Sequence, residues 1–345
     1  MPPGSRAWFV DRCGGPERLV LRERPDPAPG KGEVLVKTAA IGLNFADLFV
    51  RAGVYPNTPK PPFVPGMEIS GTVEAAGEGA GELAPGQRVV GVPLFGGHAE
   101  KVLVPAARVF PLPDGVDLVE AAAMPVVFLT AWYCLARAEV LEGDRVVVTA
   151  AAGGVGTALL QLLASRGART IALTGSESKF ALCRQLGASQ VGLYDSAREL
   201  LDRHFGGHAD VVVDAIGGKL FRTLWRRLDR GGRYVLYGFA AASGPSGIAR
   251  LAAARELLAM GLLAPFRLVE TCRTLIGFNL SLLPAKTGEL RAAADHLFRE
   301  WRDGRLRPIL GPRFDFAHLP DAHRALAGRG TTGKVVIEVA SPHAP

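Results

Sequence analysis

Closely spaced cysteines are missing from this chain, and with them the simplest metal clamps. The four present, Cys13, Cys134, Cys183 and Cys272, stand far apart in 345 residues, so no zinc-ribbon spacing or disulfide framework is legible. Free thiols in a reducing compartment are expected. No run of five or more basic residues occurs either. The formal charge of +7 comes from scattered lysines and arginines, which implies a solvated basic surface and no nucleic-acid partner. No uninterrupted apolar run reaches the ~18 residues of a membrane span. The opening "MPPGSRAWFVDRCGG" lacks the basic start and apolar core of a signal peptide. A cytoplasmic protein with no integral membrane segment is expected, and no internal repeat is seen.

What is there changes texture twice. Hydrophobic residues at 48% and charged residues at 21% suffice to fill one large or two moderate cores. Up to about residue 120 the chain is rich in Gly and Pro, with short β-like runs: "EVLVKTAAIGL", "GTVEAAG", "QRVVGV" and "EKVLV". Such close spacing predicts a β-rich barrel or sandwich, interrupted by one helix, "NFADLFVRAG", ending at Gly53. "EAAAMPVVFLTAWYCLARA" then predicts one long apolar helix. After it, apolar strands alternate with helices from "RVVVTA" to "GGRYVLYGF", the pattern of a parallel sheet covered on both faces. Near Thr274 the texture shifts again, and the tail "GKVVIEV" resumes β character. The expected α/β organisation is therefore a discontinuous first domain, residues 1–125 and 275–345, around a second, 126–274.

The stretch "RVVVTAAAGGVGTALLQLLASRG" carries most of the chemistry. Gly153 and Gly156 lie between a strand and a helix, where a dinucleotide fingerprint would place them. A side chain at Gly153 would hold the backbone off a pyrophosphate, and one at Gly156 would push the helix off the strand. The helix start offers free N–H groups and a positive dipole end. Ala151 replaces the first fingerprint glycine, which is tolerated if its φ stays negative. The turn residues Ala152, Gly153, Gly154, Val155 and Gly156 are thus assigned to the cofactor. At the end of the next strand, NAD sites place an acid. Here the residues are Thr174, Gly175 and Ser176, with Lys179 a turn later. Small hydroxyls and an ammonium suit a 2′-phosphate, so the cofactor expected is NADPH.

The order of β-rich segment, "TAAAGGVG", "DAIGG" and terminal "GKVV", with "GLNFADLFVRAGVYP", "PFVPGMEISGTV" and "GFNLSLL", resembles the medium-chain dehydrogenase/reductase superfamily. Within it the chain looks like the zinc-independent quinone oxidoreductase group, nearest the branch of vesicle amine transport protein homologues. The likeness spans nearly the whole chain. It implies a GroES-like catalytic domain for the first domain and a doubly wound Rossmann domain for the second. Zinc-dependent members carry a cysteine near the first helix, a histidine in a G-H-E segment and a four-cysteine lobe. This chain has Asn44, Met67 before Glu68, and no cluster, so no metal is expected. His98 reads as structural.

Without a Lewis acid, alcohol oxidation loses its main charge stabilisation. Hydride delivery to an electrophilic carbon, in a quinone or an α,β-unsaturated ketone, remains. The resemblance implies catalytic roles for Asn44, Tyr55 and Asp47, the last orienting its neighbours. For Asn44 and Asp47 helix capping is the alternative. It implies cofactor contacts from Thr130, Tyr194, Phe278, Asn279 and Lys334, with Phe239 closing "GGRYVLYGF". The partner expected is a small hydrophobic quinone or enone. An enoyl-thioester reductase and a non-catalytic NADPH-binding regulator remain as alternatives. The segment "SGIARLAAARELLAMGLLAPFRLVE" reads first as helix core, otherwise as a substrate pocket or a subunit contact. A homodimer is expected by analogy.

Overall fold

A computed structural model describes residues 4–242, 250–282 and 287–339. The chain divides into two compact units, Met1–Val126 with Pro284–Pro345, and Val127–Leu283.

The first unit opens with an antiparallel ribbon, β1 (Ser5–Val10) and β2 (Leu19–Arg24). Sequence reading missed both, because their polar and apolar residues alternate imperfectly. β3 (Glu33–Gly42) is the hub of the main sheet. Its first half, Glu33–Lys37, pairs with β6 (Lys101–Pro105), and its last three residues pair with β15 (Lys334–Glu338) from far along the chain. Register shifts at Leu35/Val36 and Thr38/Ala40 against β4 (Ile69–Ala76) bend the hub strand, as bulges do. β5 (Arg88–Gly91) and β7 (Val109–Pro111) extend one side, and β14 (Leu310–Asp315) runs parallel to β15 on the other. Two helices carry candidate polar residues of this unit. α1 (Phe45–Arg51) leaves β3 directly, and α11 (Leu319–Ala327) packs near it.

The single apolar helix expected around residues 120–138 is two, α2 (Leu118–Ala121) and α3 (Pro125–Arg137). Pro125 cannot donate the N–H that would continue α2, so it begins a new helix. Among the described residues, the stretch Leu118–Arg137 is long and apolar enough to cross a membrane, but 72% of its apolar window is buried.

The second unit is a six-stranded sheet in the order β10-β9-β8-β11-β12-β13, parallel throughout. Its strands are β8 (Arg145–Val148), β9 (Arg169–Thr174), β10 (Gln190–Leu193), β11 (Ala209–Asp214), β12 (Leu228–Leu236) and β13 (Thr274–Gly277). The helices are α4 (Gly154–Ser165), α5 (Phe180–Gln185), α6 (Ala197–Phe205), α7 (Gly218–Arg226), α8 (Arg250–Met260) and α9 (Pro265–Thr271). α4 buries Leu159, Leu160, Leu162 and Leu163, each contributing about 1.5–3 kcal/mol. Because β13 bonds to β12, residues 275–277 lie in this sheet, whereas the sequence texture suggested a boundary at 274. The apolar segment after residue 250 is not core. Leu257, Leu258, Leu262, Phe266 and Val269 are 61–104% exposed, and residues 246–249 lie outside the described chain. α10 (Thr287–Arg302) returns to the first unit.

Candidate active site

Strand order reverses between β8 and β11, and open parallel sheets bind ligands beyond the carboxyl ends of strands at such a point. The β8 exit turn has that form. Ala151 and Ala152 are buried while Gly153, Gly154 and Val155 are half-exposed, so Ala152 has only its backbone to offer. The Ala151 N–H donates to the Leu173 carbonyl at 3.1 Å, tying the turn to β9. The left-handed residue is Ala150, φ 49°. Ala151 is outside that region, which is why its Cβ is tolerated.

The two fingerprint glycines differ. A Cβ on Gly156 would lie 2.4 Å from the Ala150 carbonyl oxygen and 2.6 Å from the Ala151 backbone, whereas one on Gly153 would meet only the Ala150 oxygen, at 3.3 Å. The fold therefore demands Gly156 and merely permits Gly153. Gly153 is also the N-cap of α4 and supplies no side-chain cap, so the helix presents its first N–H groups outward.

Across the switch point, Asp214 braces the cradle, a role the sequence reading missed. Its buried carboxylate accepts from the Thr149 and Tyr234 hydroxyls at 2.7 and 2.8 Å and from the Ile216 and Gly217 N–H groups at 2.8 and 3.1 Å. Burial pushes its pKa up against these donors. An acid closing the buried run "VVVD" was the available signal.

At the end of β9 the Thr174 hydroxyl donates to the Ser176 carbonyl at 2.9 Å, and the Ser176 and Ser178 hydroxyls lie 2.8 Å apart. A Cβ on Gly175 would sit 3.5 Å from the ring of Tyr194, which follows β10. Lys179 is not a solvated surface lysine. It is 9% exposed, and burial lowers its pKa while the nearby Cys183 raises it. Phe239, after β12, packs on Gly217, where a Cβ would come within 2.6 Å of its ring. Phe278, after β13, lies 4.7 Å from the Tyr133 ring, and the Asn279 Oδ1 accepts from the Ser281 hydroxyl at 2.7 Å. In a parallel sheet all these strand exits share one edge. Thr130 is buried on α3, the helix whose Tyr133 packs on Phe278.

The first unit holds the other candidates. Asn44 caps α1, and its backbone N–H donates to the Asp47 carboxylate at 2.8 Å. Both amide N–H groups of Asn44 are spent, on the Gly42 carbonyl at 3.2 Å and on Glu68 at 3.1 Å. Its Oδ1 accepts from Lys334 Nζ at 2.6 Å, and the same ammonium pairs with Glu68 at 2.5 Å. Lys334 is 3% exposed and Glu68 fully buried, so Lys334 is no surface lysine. The other Glu68 oxygen accepts from the Val126 N–H at 2.6 Å. Met67 lies in the apolar core beside this cluster in sequence. Tyr55 is half-buried in the loop after α1 and packs on the same core.

Behind Asn44 lies a polar group that the sequence did not reveal. Asp47, His98 and His323 are wholly buried and Arg51 is 1% exposed. The His98 Nε2 is 3.9 Å from Asp47, the two imidazoles meet edge to face at 5.2 Å, and Arg51 lies 2.9 Å from His323 Nδ1. Asp47 therefore cannot touch a substrate. It acts only through the N–H of Asn44. Burial pushes its pKa up to about 7, helped by Glu68 and opposed by the Asn44 N–H, Lys334 and Arg51. Burial also brings His98 down to about 3 and His323 well below its usual value, each further lowered by Arg51.

These shifts have opposite consequences. Asp47 prefers its proton in the fold, so its contribution is complete below about pH 4 and is lost as pH rises through about 7. The imidazoles are kept neutral, so theirs is complete above about pH 6.5 and is lost as pH falls toward 3. Asp47→Asn keeps an acceptor for the Asn44 N–H and removes one titration. Its stability relative to the native chain should therefore climb from pH 4 to pH 7.5, by up to about 4 kcal/mol. Thermal denaturation of both proteins across that range measures it, and a constant difference would mean that Asp47 ionises normally.

Among the described residues no three His, Cys, Asp or Glu side chains converge as a metal site. Residues 30–114 match the family model for the alcohol dehydrogenase GroES-like domain, and residues 154–279 that for the zinc-binding dehydrogenase. The chain is 32% identical to the rat synaptic vesicle membrane protein VAT-1 homolog, over 97% of this chain and 84% of that protein. It is 33% identical to the bovine quinone oxidoreductase-like protein 2, over 97% and 93%. It is also 31% identical, over 96% of its length, to 14% of a phenolphthiocerol/phthiocerol polyketide synthase component of Mycobacterium tuberculosis. Among solved structures it resembles the quinone oxidoreductase of Thermus thermophilus, determined alone and with NADPH. That match has a TM-score of 0.82 and 36% identity, covering 97% of this chain and all of that one.

Proposed function

The chain belongs to the medium-chain dehydrogenase/reductase superfamily, beside its quinone oxidoreductases, and we propose that it is an NADPH-dependent reductase acting on a quinone or an α,β-unsaturated carbonyl without a metal ion. The observation that carries this reading is the β8 exit turn. A Cβ on Gly153 would press on the Ala150 carbonyl oxygen alone, at 3.3 Å, and no carboxylate stands at the end of β9. Gly153–Gly156 would hold the pyrophosphate, and Thr174, Ser176 and Lys179 the 2′-phosphate. Tyr194, Phe239, Phe278, Asn279 and Thr130 would hold the remainder. When bound, reduced nicotinamide supplies the hydride.

Zinc does not suit the first unit. Its candidate donors are an amide and a core thioether, and an ammonium lies 2.6 Å from the amide oxygen, which would repel a dication. That ammonium takes over the charge role in this reading. Asn44 has no N–H left for a substrate oxygen, whereas Lys334 has three and spends one each on Asn44 and Glu68. Lys334 thus stabilises the developing oxyanion, Asn44 and Glu68 fix it in place, and the Tyr55 phenol supplies the proton.

Two measurements test the proposal. Lys179→Ala should weaken NADPH binding about 10- to 100-fold, the loss of one charged hydrogen bond, and leave NADH binding unchanged; equal effects on both would refute the 2′-phosphate role. NADPH oxidation should be fastest with a quinone or simple enone. Faster turnover of a crotonyl thioester would favour an enoyl-thioester reductase, which the polyketide synthase similarity supports. Binding of NADPH with no turnover would favour a regulatory protein. The exposed Leu258, Leu262, Phe266 and Val269, together with the edge strand β13, support a homodimer, and a monomer in sedimentation at micromolar concentration would remove it.

A further inference from the structure

α6 and α7 lie side by side on one face of the parallel sheet, with Ala197, Leu201 and Phe205 of the first and Phe221 and Leu224 of the second in one apolar cluster. Their outer surfaces, with Ala259 of α8, line an open groove of about 440 Å³ that carries Arg198, Lys219, Arg222, Thr223 and Arg226. None of these residues belongs to the coenzyme cradle. Four of the six are exposed cations, and no ion pair joins any of the four to an acid among the described residues.

That pattern runs against the habits of the same unit. Arg145, Arg203, Arg227 and Arg233 are each paired with a carboxylate at 2.6–2.7 Å. On α6, Glu199 and Arg203 form the favourable i,i+4 arrangement. On α7 the corresponding spacing, Arg222 and Arg226, sets two like charges on one another, which costs what the α6 pair contributes. Lys219 and Arg198 stand in the first turns of their helices, where the macrodipole disfavours a cation. Glu256 accepts from the Lys219 backbone N–H at 3.4 Å and forms no ion pair with the Lys219 ammonium among the described residues. Local rules are broken three times in one small concavity, and such concentrations mark function more often than chance.

We propose that this groove is a second anion site, for a small polyphosphate-bearing molecule. A groove of this volume falls in the range of small-molecule sites, and four cations match the three or four negative charges of a di- or triphosphate. Phosphate oxygens take charged hydrogen bonds from arginine in pairs; the Thr223 hydroxyl is already bonded within α7, donating to the Lys219 carbonyl at 3.3 Å.

The test is calorimetric titration of the full chain with inorganic tripolyphosphate, with and without saturating NADPH. One equivalent should bind in both conditions and weaken at least 10-fold between 50 and 200 mM salt, as screening requires. Arg222→Glu with Arg226→Glu should weaken it at least 30-fold, and Arg203→Glu, which alters a cation already paired outside the groove, should not. No uptake would overturn the proposal. Uptake abolished by NADPH would assign the ligand to the coenzyme cradle. Unchanged uptake in the double variant would place it elsewhere. Preference for a single-stranded oligonucleotide or phosphatidylserine vesicles, by 10-fold or more over tripolyphosphate, would replace the small molecule with a polymer or a membrane.

Discussion

Lys334→Met should destabilise the first unit by about 3–5 kcal/mol, the cost of leaving one member of a buried ion pair without its partner. Glu68 is fully buried, and among the described residues its oxygens meet, besides Lys334, only an amide of Asn44 and the Val126 N–H. Two neutral donors cannot offset the desolvation of a carboxylate. The double substitution Lys334→Met with Glu68→Gln removes both charges and should recover most of the loss, because burying neutral groups of similar size is far cheaper. Urea denaturation of the three proteins decides it. If the double variant were as unstable as the single one, the cluster would be holding the fold by shape rather than by charge. Catalysis should not recover in the double variant, since the ammonium assigned to the oxyanion is still gone.

The two glycines of the β8 exit turn should separate stability from binding. Gly156→Ala drives a Cβ into the backbone of Ala150 and Ala151 and should cost about 1–3 kcal/mol as overpacking, with coenzyme affinity falling as α4 shifts. Gly153→Ala brings its Cβ to 3.3 Å from the Ala150 carbonyl oxygen alone and should lose less stability than Gly156→Ala, yet bind NADPH at least 100-fold more weakly. Thermal denaturation and fluorescence titration of both variants give the four numbers. A Gly153→Ala protein that binds normally would remove the turn from the coenzyme site and, with it, the main support for the proposed activity.

What the sequence made legible was local. The alternation from "RVVVTA" onward predicts β8 to β12 and their helices, because each buried strand of a parallel sheet is an apolar run with its own punctuation. The tail strand β15 was readable for the same reason. β1, β2 and β14 were not, since strands such as "LVLRER" and "LGPRFD" carry too much charge for a period-two pattern to stand out. The coenzyme candidates came from a turn whose residues are neighbours in sequence, so geometry could be inferred from spacing. The first-unit cluster could not be found that way. Glu68 and Lys334, or Asp47, His98 and His323, are joined only by the fold. "GMEISG" showed a departure from a zinc ligand set without showing that Lys334 lies beside it. The apolar segment after residue 250 was read as core because hydrophobicity alone cannot separate a buried face from one awaiting a partner.

The crossing of the chain back into its first sheet has a consequence for how the protein is made. β15 is translated after the whole second unit, so Ala40–Gly42 of β3 has no neighbour on that side while the intervening residues leave the ribosome. Glu68 must wait equally long for its counter-charge. The amino-terminal unit is therefore provisional through most of synthesis and becomes durable only when residue 334 arrives, whereas the coenzyme-binding unit, continuous from Val127 to Leu283, has every strand it needs before β15 exists.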